Sequence, residues 1–310
     1  MNLSPAVYTR NLCKHFQQVR AVDDLNLSVH PGEMFGLLGP DGAGKTTTLR
    51  MLCTVTSPTS GHAEVLGFDT CKQERQVKQR VGYLSQGFSL YGDLSVQENI
   101  EFFADIHGVS RYRERMEELL AFTSLAPFKR RLADRLSGGM KKKLALACTL
   151  IHTPDIIFLD EPTTGVDPVS RREFWTILAD LLSQGLTILL TTPYMDEAER
   201  CNRVALMHKG NILLTGTPDA LKLQLAAQVL IVSCTPLTQA ENWLAAQRPE
   251  IDVQRFGKKL HLLLPQGENS DGLIQRLRDA GISVLATRQT TPSMENVFIH
   301  VLKQKQRGAA

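Results

Sequence analysis

Residues 39–47, which read GPDGAGKTT, are preceded by an apolar run at Met34–Leu38 and followed by a segment of helical character at residues 48–52. The pattern Gly-x-x-x-x-Gly-Lys-Thr between a strand and a helix is that of a phosphate-binding loop. Its glycines allow backbone amides to curl around a polyphosphate, and the helix that follows directs its positive end at the same group. The sequence therefore predicts that the chain binds a nucleoside triphosphate.

Two side chains of this loop have specific predicted roles. Lys45 supplies a positive charge for the outer phosphates, and the hydroxyl of Thr46 is placed to ligate Mg²⁺. The residues predicted to contact the nucleotide here are Gly39, Pro40, Asp41, Gly42, Ala43, Gly44, Lys45, Thr46 and Thr47.

Two adjacent carboxylates, Asp160 and Glu161, form the second signal. They follow the apolar run at residues 156–159, which is typical of a buried parallel strand. The pair is therefore expected at the carboxyl edge of a sheet, where open α/β proteins bind their ligands. Asp160 is suited to hold Mg²⁺ through water, and Glu161 is suited to polarise an attacking water molecule.

Composition narrows the class of protein. The chain has 310 residues, of which 43% are hydrophobic and 22% charged, and a net charge of +3, which is too mild to favour a nucleic-acid partner. Its cysteines form no Cys-x-x-Cys pair, so we expect neither disulfides nor a metal site built from cysteines. We expect histidines such as His15, His62 and His152 to be packing or surface residues and not metal ligands. No apolar stretch approaches the ~20 residues that span a bilayer.

The rest of the chain is read as follows. Residues 5–30 alternate as antiparallel strands do, and Phe16 there either packs in the core or stacks on an adenine. Residues 94–135 have a helical period, and Ser137-Gly138-Gly139 then begins a second helix with amides suited to an anion. The run at residues 141–143, three lysines, is expected to be a solvated helix face. From residue 226 the order β-α-β-β-α-β indicates a small ferredoxin-like module.

Five elements in this order resemble the ATP-binding cassette of ABC transporters over residues 5–225: GPDGAGKTT, Gln86 after a strand, LSGGM, IIFLDEPTTGVDP and TTPYMDEAE. The DGAGKTTT, YMDEAE and PSMENVF segments look most like the ABC-2 class of multidrug and antibiotic exporter subunits. The resemblance implies an α/β P-loop NTPase fold with a RecA-like core, an antiparallel β subdomain and a helical subdomain at about residues 90–150. We expect the α+β module at residues 226–310 to have a regulatory or dimerisation role.

The resemblance also implies roles for single residues. Phe16 would stack on the adenine of ATP, and Thr46, Gln86 and Asp160 would serve Mg²⁺. Glu161 would be the general base, with Gln86 and Lys45 as further catalytic residues. In a head-to-tail dimer of cassettes, Asp167 would lie at the seam. The residues that would close on ATP held by the second cassette are Ser137, Gly138 and Gly139, and those that would line a groove for the membrane subunit are Phe88, Leu90 and Tyr91.

One departure from the family pattern bears on activity. Pro193 occupies the position where a histidine normally contacts the γ-phosphate, and proline has no side-chain donor. Losing one such donor costs on the order of 10²-fold in rate, so the sequence predicts ATP binding with slow hydrolysis. The second departure, Met140 after Ser-Gly-Gly in place of glutamine, is expected to matter little.

The resemblance implies two partners, an integral membrane permease and a second cassette in a homodimer or heterodimer, and a location on the cytoplasmic side of the cell membrane. The main hypothesis is the ATPase subunit of an exporter. One alternative is a nucleotide-gated regulatory or tethering subunit, which Pro193 favours and Glu161 opposes. The other is a soluble ABC ATPase that acts on ribosomes or DNA; this chain lacks the tandem cassettes or long coiled coil usual there. The resemblance implies that the permease, and not this chain, selects the transported substrate.

Overall fold

The chain divides into two units, Met1–Thr215 and Gly216–Ala310, in a computed structural model that describes residues 4–87, 90–225, 227–265 and 267–308. The strands of the first unit are β1 (Val7–Phe16), β2 (Val19–Val29), β3 (Met34–Leu38), β4 (Ser60–Val65), β5 (Phe68–Asp69), β6 (Val81–Leu84), β7 (Ile156–Asp160), β8 (Thr187–Thr192), β9 (Arg203–His208) and β10 (Asn211–Gly216). Its helices are α1 (Lys45–Leu52), α2 (Glu74–Arg80), α3 (Val96–Ile106), α4 (Tyr112–Phe122), α5 (Gly138–Leu150) and α6 (Pro168–Ser183).

A sheet in the order β10-β9-β3-β8-β7-β6 forms the centre of the first unit. Strand β3 pairs in parallel with both β8 and β9, and β7 pairs in parallel with both β6 and β8. Every residue of β3, β7 and β8 is buried, as expected for a parallel sheet covered on both faces. The predicted α/β core is thereby confirmed, with the phosphate-binding loop and the Asp160-Glu161 pair at one edge.

A second, antiparallel sheet has the order β2-β1-β4-β5. Strands β1 and β2 were expected from their alternating pattern, but β4, β5 and the short helix α2 were not. The sequence of β4, SGHAEV, has no run of β-branched residues, and the strand is defined by its antiparallel pairing with β1 instead.

Helices α3, α4 and α5 form the predicted helical subdomain. Helix α3 begins at a capping box in which the Ser95 hydroxyl accepts from the Glu98 amide and the Glu98 carboxylate accepts from the Ser95 amide. Buried Ile100 and Leu120 lie on the apolar faces of α3 and α4. None of the described helices is long and apolar enough to cross a membrane.

The second unit contains α7 (Pro218–Gln224), β11 (Ala227–Thr235), α8 (Leu237–Gln247), β12 (Asp252–Phe256), β13 (Lys259–Pro265), α9 (Ser270–Asp279), β14 (Ser283–Thr290) and α10 (Met294–Gly308). Its antiparallel sheet has the order β12-β13-β11-β14, which is the ferredoxin-like arrangement that the element order predicted. Helix α7 belongs to this unit, whereas the sequence analysis extended the cassette to residue 225.

Two histidines stack within the helical subdomain. The rings of His107 and His152 are 3.9 Å apart and nearly parallel. They line a groove of about 940 Å³ together with Val55, Arg75, Phe103 and Ile106. Burial lowers the pKa of His152 from 6.5 to about 4, helped by the neighbouring His107, although its Nε2 lies 3.2 Å from the carbonyl of Val81. His152 is therefore a packing residue, as the sequence analysis expected.

The low pKa of His152 predicts a loss of stability in acid. The folded state holds this ring neutral, so the unfolded state binds the extra proton between pH 6.5 and 4, and the free energy of unfolding falls as the pH falls through that window. Urea unfolding should show a smaller loss between pH 7 and pH 5 in His152→Phe than in the wild type. Substitution of exposed His30 with Asn serves as the control, and an equal loss in all three proteins would contradict the assignment.

Candidate nucleotide site

The phosphate-binding loop requires glycine at two positions for steric reasons. A Cβ atom on Gly39 would lie 2.2 Å from the carbonyl oxygen of Met207. Gly44 caps α1 with a φ of 104°, in the region that L-residues avoid, and a Cβ there would lie 2.3 Å from the carbonyl oxygen of Ala21. The loop therefore packs against β9 and β2, which fix its curvature at the start of α1.

Lys45 is folded over its own loop. Its side chain is buried, and its Nζ donates to the carbonyl oxygens of Gly39 at 2.8 Å and Pro40 at 3.0 Å. The same nitrogen lies 3.5 Å from Oε1 of Glu161. The ammonium group is thus held by two neutral carbonyl groups and one carboxylate. A polyphosphate in the loop would attract it more strongly than the carbonyls do, because it carries several negative oxygens.

Asp160 lies at the end of β7 and accepts two hydroxyl donors on one oxygen. Its Oδ1 is 2.9 Å from the Thr46 hydroxyl and 2.7 Å from the Thr191 hydroxyl. The Tyr83 hydroxyl lies 3.5 Å from the other oxygen, and burial together with the charge of Asp160 raises the pKa of Tyr83 to about 12. Thr46 and Asp160 are therefore brought together as the sequence predicted, with oxygen donors of the kind that Mg²⁺ prefers.

Glu161 has a backbone φ of 48°, which turns its side chain away from the direction of β7. Its carboxylate Oε2 accepts from Nε2 of Gln86 at 2.9 Å and from the Thr164 hydroxyl at 3.3 Å. Its backbone amide donates to the Thr191 hydroxyl at 3.0 Å. Glu161 thus contacts both Gln86 and Lys45, the other two residues of the predicted catalytic set, whose catalytic roles stay a prediction.

Thr191 was missed by the sequence analysis, although it lies in the TTPYMDEAE segment. Its hydroxyl accepts from the amide of Glu161 and donates to Asp160, so one group fixes both carboxylates relative to β8. The signal was present: a threonine at the end of a buried strand next to the carboxylate strand has few other partners for its hydroxyl.

The lysine run at residues 141–143 is not the solvated face that we expected. Lys142 and Lys143 are buried. Nζ of Lys142 donates to the carbonyl oxygen of Gln86 at 2.9 Å, and Nζ of Lys143 is 2.5 Å from Glu173 on α6. Burial lowers the pKa of Lys142, while Asp160 and Glu161 oppose that change. The run was misread because the residues that cover it come from distant parts of the chain.

These residues surround a cleft of about 540 Å³. It is lined by Arg20 and Ala21 of β2, residues 41–47 of the loop, Gln86, Glu161, Thr164, Pro193 and Tyr194. Pro193 thus lies at the cleft, as its place in the sequence predicted. Phe16 is 48% exposed at the end of β1, with Nζ of Lys14 5.0 Å from its ring centre, and is not among the lining residues; its contact with adenine stays a prediction.

The Ser-Gly-Gly segment lies at the exposed start of α5. Ser137 caps the helix by accepting from the amide of Met140, and both Ser137 and Gly138 are exposed. Gly139 is buried, and a Cβ there would lie 2.3 Å from Cβ of Ser170 on α6. Asp167 caps α6 in turn through the amides of Val169 and Ser170. A hydrogen bond with the Ser170 side chain, together with these amides, lowers the pKa of Asp167. Of the predicted groove residues, Tyr91 is 46% exposed, whereas Phe88 lies outside the described residues.

A buried carboxylate that the sequence analysis did not single out ties the loops together. Glu197 lies on the 3₁₀ turn at Met195–Arg200 and is 1% exposed. Its Oε1 accepts from the hydroxyl of Thr163 at 2.5 Å, from Nε of Arg171 at 2.9 Å and from the indole of Trp175 at 3.3 Å. The segment after Pro193 is thereby joined both to the residues after Glu161 and to α6.

Comparison with known proteins decides the family. A family model for "ABC transporter" matches residues 22–164, and one for "ATP-binding protein DrrA1-3-like, C-terminal domain" matches residues 216–302. The daunorubicin resistance ATP-binding protein DrrA3 of Streptomyces coeruleorubidus is 35% identical over 294 residues, which cover 93% of each chain. This chain belongs to the ABC transporter ATP-binding proteins. The cleft at its phosphate-binding loop is the candidate nucleotide site of this ABC protein.

Other ABC proteins show the same relationship. The probable multidrug ABC transporter ATP-binding protein YbhF of Escherichia coli is 45% identical over 287 residues, which are 91% of this chain but 49% of YbhF; the chain spans about half the length of that relative. The solved "ATP binding subunit of ABC transporter" has a TM-score of 0.65 at 26% identity and covers 71% of this chain and 92% of its own. The predicted ABC cassette fold is thereby confirmed.

The Glu197 network predicts a stability difference between two neighbouring acids. Glu197→Gln removes the charge that pairs with Arg171 in a buried site, so we expect the free energy of unfolding to fall by about 1–3 kcal/mol. Asp196 pairs with the same arginine at 3.0 Å, but its side chain is 73% exposed. Asp196→Asn should therefore cost less than about 1 kcal/mol. Urea unfolding of both variants measures the difference, and equal losses would show that the network does not hold the loops.

Proposed function

We propose that the chain is the ATP-binding and hydrolysing subunit of an ABC-2 type exporter, powering efflux through a separate membrane permease. One observation carries this proposal: the carboxylate of Glu161, next to Asp160, contacts both Lys45 and Gln86 in a cleft that the phosphate-binding loop lines. A protein that only bound nucleotide would need the loop and its lysine but not a carboxylate held toward the outer phosphates.

The proposed chemistry follows from these side chains. A triphosphate in the loop attracts Nζ of Lys45 away from the carbonyls of Gly39 and Pro40. Glu161 then loses its lysine neighbour but keeps the donors from Gln86 and Thr164, which hold its carboxylate in place to orient and deprotonate a water molecule. Thr191 positions both carboxylates through its hydroxyl.

The donor atoms fit Mg²⁺. Thr46, Gln86 and Asp160 would hold it, since the Gln86 amide nitrogen donates to Glu161 and its amide oxygen is the atom left for a cation. When bound, the ion neutralises charge on the outer phosphates.

The proposed active form is a head-to-tail pair of cassettes. The exposed amides at Ser137 and Gly138 begin a helix of 13 residues, so they can meet the γ-phosphate of ATP held by another cassette. Asp167 would lie at the seam, since it caps α6 beside Gly139. Co-purification with a tagged copy of this chain would identify the second cassette as an identical or a different chain.

Pro193 makes the proposed hydrolysis slow, because the cleft lacks a donor at the position from which a histidine would reach the γ-phosphate. Pro193→His should raise kcat by about 100-fold in a purified ATPase assay. Tyr194→His, which places the imidazole one residue further along the same wall, serves as the matched control and should show no such gain. A wild type as fast as the Pro193→His variant would contradict the role given to this position.

Glu161→Gln tests hydrolysis against the tethering alternative. If Glu161 is the base, this isosteric change leaves binding intact and traps ATP, so the variant should form an ATP-stabilised dimer in gel filtration while the wild type in Mg-ATP does not. Glu118→Gln on the exposed face of α4 should behave as wild type. Identical dimerisation of wild type and Glu161→Gln would instead favour a nucleotide-gated tether.

We propose that the permease docks at the groove residues that the resemblance implies, of which Tyr91 is 46% exposed. We propose that the subunit lies on the cytoplasmic side of the membrane. DrrA3 is named for daunorubicin resistance and YbhF for probable multidrug transport, which supports a drug-like substrate class. We assign the regulatory or dimerising role to the ferredoxin-like unit, and co-purification of the membrane protein is the direct test.

A further inference from the structure

Three side chains of the types that ligate metals lie close together on the β1–β2 hairpin. Cys13 and His15 lie two residues apart on β1, in the part of the strand where its pairing with β2 shifts register. Asp23 lies on β2, which pairs antiparallel with β1 so that Lys14 faces Val22. One donor atom from each of Cys13, His15 and Asp23 lies within 4.8 Å of the other two.

The histidine of this group has an unused donor or acceptor. Nε2 of His15 is enclosed and has no hydrogen-bond partner among the described residues. Its backbone amide donates to the Thr59 hydroxyl at 3.0 Å, which holds the residue in the strand. An enclosed ring nitrogen without a partner is costly, and a ligand bound to the imidazole would provide one.

The other two side chains have only weak competing contacts. Sγ of Cys13 accepts from the amide of Asp24 at 3.3 Å and donates to the carbonyl oxygen of Asn11 at 3.5 Å. Oδ2 of Asp23 lies 3.4 Å from Nη1 of Arg20, whose side chain is 69% exposed. An ion pair this long and this solvated contributes little and does not prevent a metal from binding.

We propose that Cys13, His15 and Asp23 bind Zn²⁺, with water completing a tetrahedral site. Thiolate, imidazole and carboxylate are the donors that Zn²⁺ takes, whereas Mg²⁺ and Ca²⁺ prefer oxygen throughout. Binding releases the thiol proton of Cys13. This site is separate from the magnesium ligands proposed above and does not depend on the proposed transport function.

The site joins the two strands that lead to the nucleotide cleft. His15 precedes Phe16 on β1, and Arg20 and Ala21 of β2 line the cleft. Zinc bound here restrains the hairpin and removes Asp23 from Arg20. The sequence analysis expected no metal site with cysteine or histidine ligands, because it searched for ligands at fixed spacings along one segment. Asp23 comes from the next strand.

Cobalt and zinc titrations of the nucleotide-free full chain test the site. We expect one equivalent of Co²⁺ to produce a thiolate-to-cobalt charge-transfer absorption, which Zn²⁺ then displaces. Cys13→Ser should abolish this absorption, and His15→Ala or Asp23→Asn should each weaken metal affinity by about tenfold or more. Circular dichroism and urea unfolding of each variant separate a lost ligand from a lost fold.

Two matched controls identify the ligands. Cys71→Ser removes an exposed thiol elsewhere and should leave the absorption unchanged. His62→Ala removes the histidine that contacts Glu64 at 2.8 Å and Asp69 at 3.4 Å, a rival site without sulfur, and should also leave it unchanged. No charge-transfer absorption in the wild type, or its survival in a folded Cys13→Ser variant, would overturn the proposal.

Discussion

The contact between Lys45 and Glu161 is the constraint on which the rest of the cassette depends. Both side chains are buried, 3% and 7% exposed, with their charged atoms 3.5 Å apart. Charges removed from water in this way must be paired and hydrogen-bonded, or the fold loses several kcal/mol. The phosphate-binding loop supplies carbonyls to Lys45, and Gln86 and Thr164 supply donors to Glu161. The site is therefore stable without ligand while keeping a cation and an anion available in the cleft.

The carboxylates are held by elements from distant parts of the chain. Asp160 ends β7 and Glu161 follows it, Thr191 is the second-last residue of the neighbouring strand β8, and Gln86 follows β6 on the other side. Because these strands run parallel, their carboxyl ends meet at one edge of the sheet, and side chains far apart in sequence become neighbours. Lys142 extends the same network into α5 by donating to the Gln86 carbonyl. Gln86 thus contacts Glu161 through its side chain and helix α5 through its backbone carbonyl.

Sequence alone predicted the parts of this site that depend on local pattern. The loop around Lys45, the carboxylates after an apolar strand and the ferredoxin-like order all follow from turns and periods within short segments. What it did not predict depends on distant packing. Buried Lys142 looked like a solvated residue because its covering partner, Gln86, is 56 residues away. Strand β4 carries little strand propensity and forms because β1 offers it a partner.

The segment that carries Pro193 keeps its hydrogen bonds on both sides of residue 193, although the histidine of the family pattern is replaced there. The hydroxyl of Thr191 before it donates to the carboxylate of Asp160 and accepts from the backbone amide of Glu161. The carboxylate of Glu197 after it is bonded to Thr163, Arg171 and Trp175. The amide of Tyr194 also donates to the Thr192 hydroxyl. Both ends of the segment are therefore fixed independently of residue 193, and proline, with no amide hydrogen, breaks none of these bonds. We therefore propose that the backbone that would present a donor to the cleft is retained and that the proline removes the donor alone.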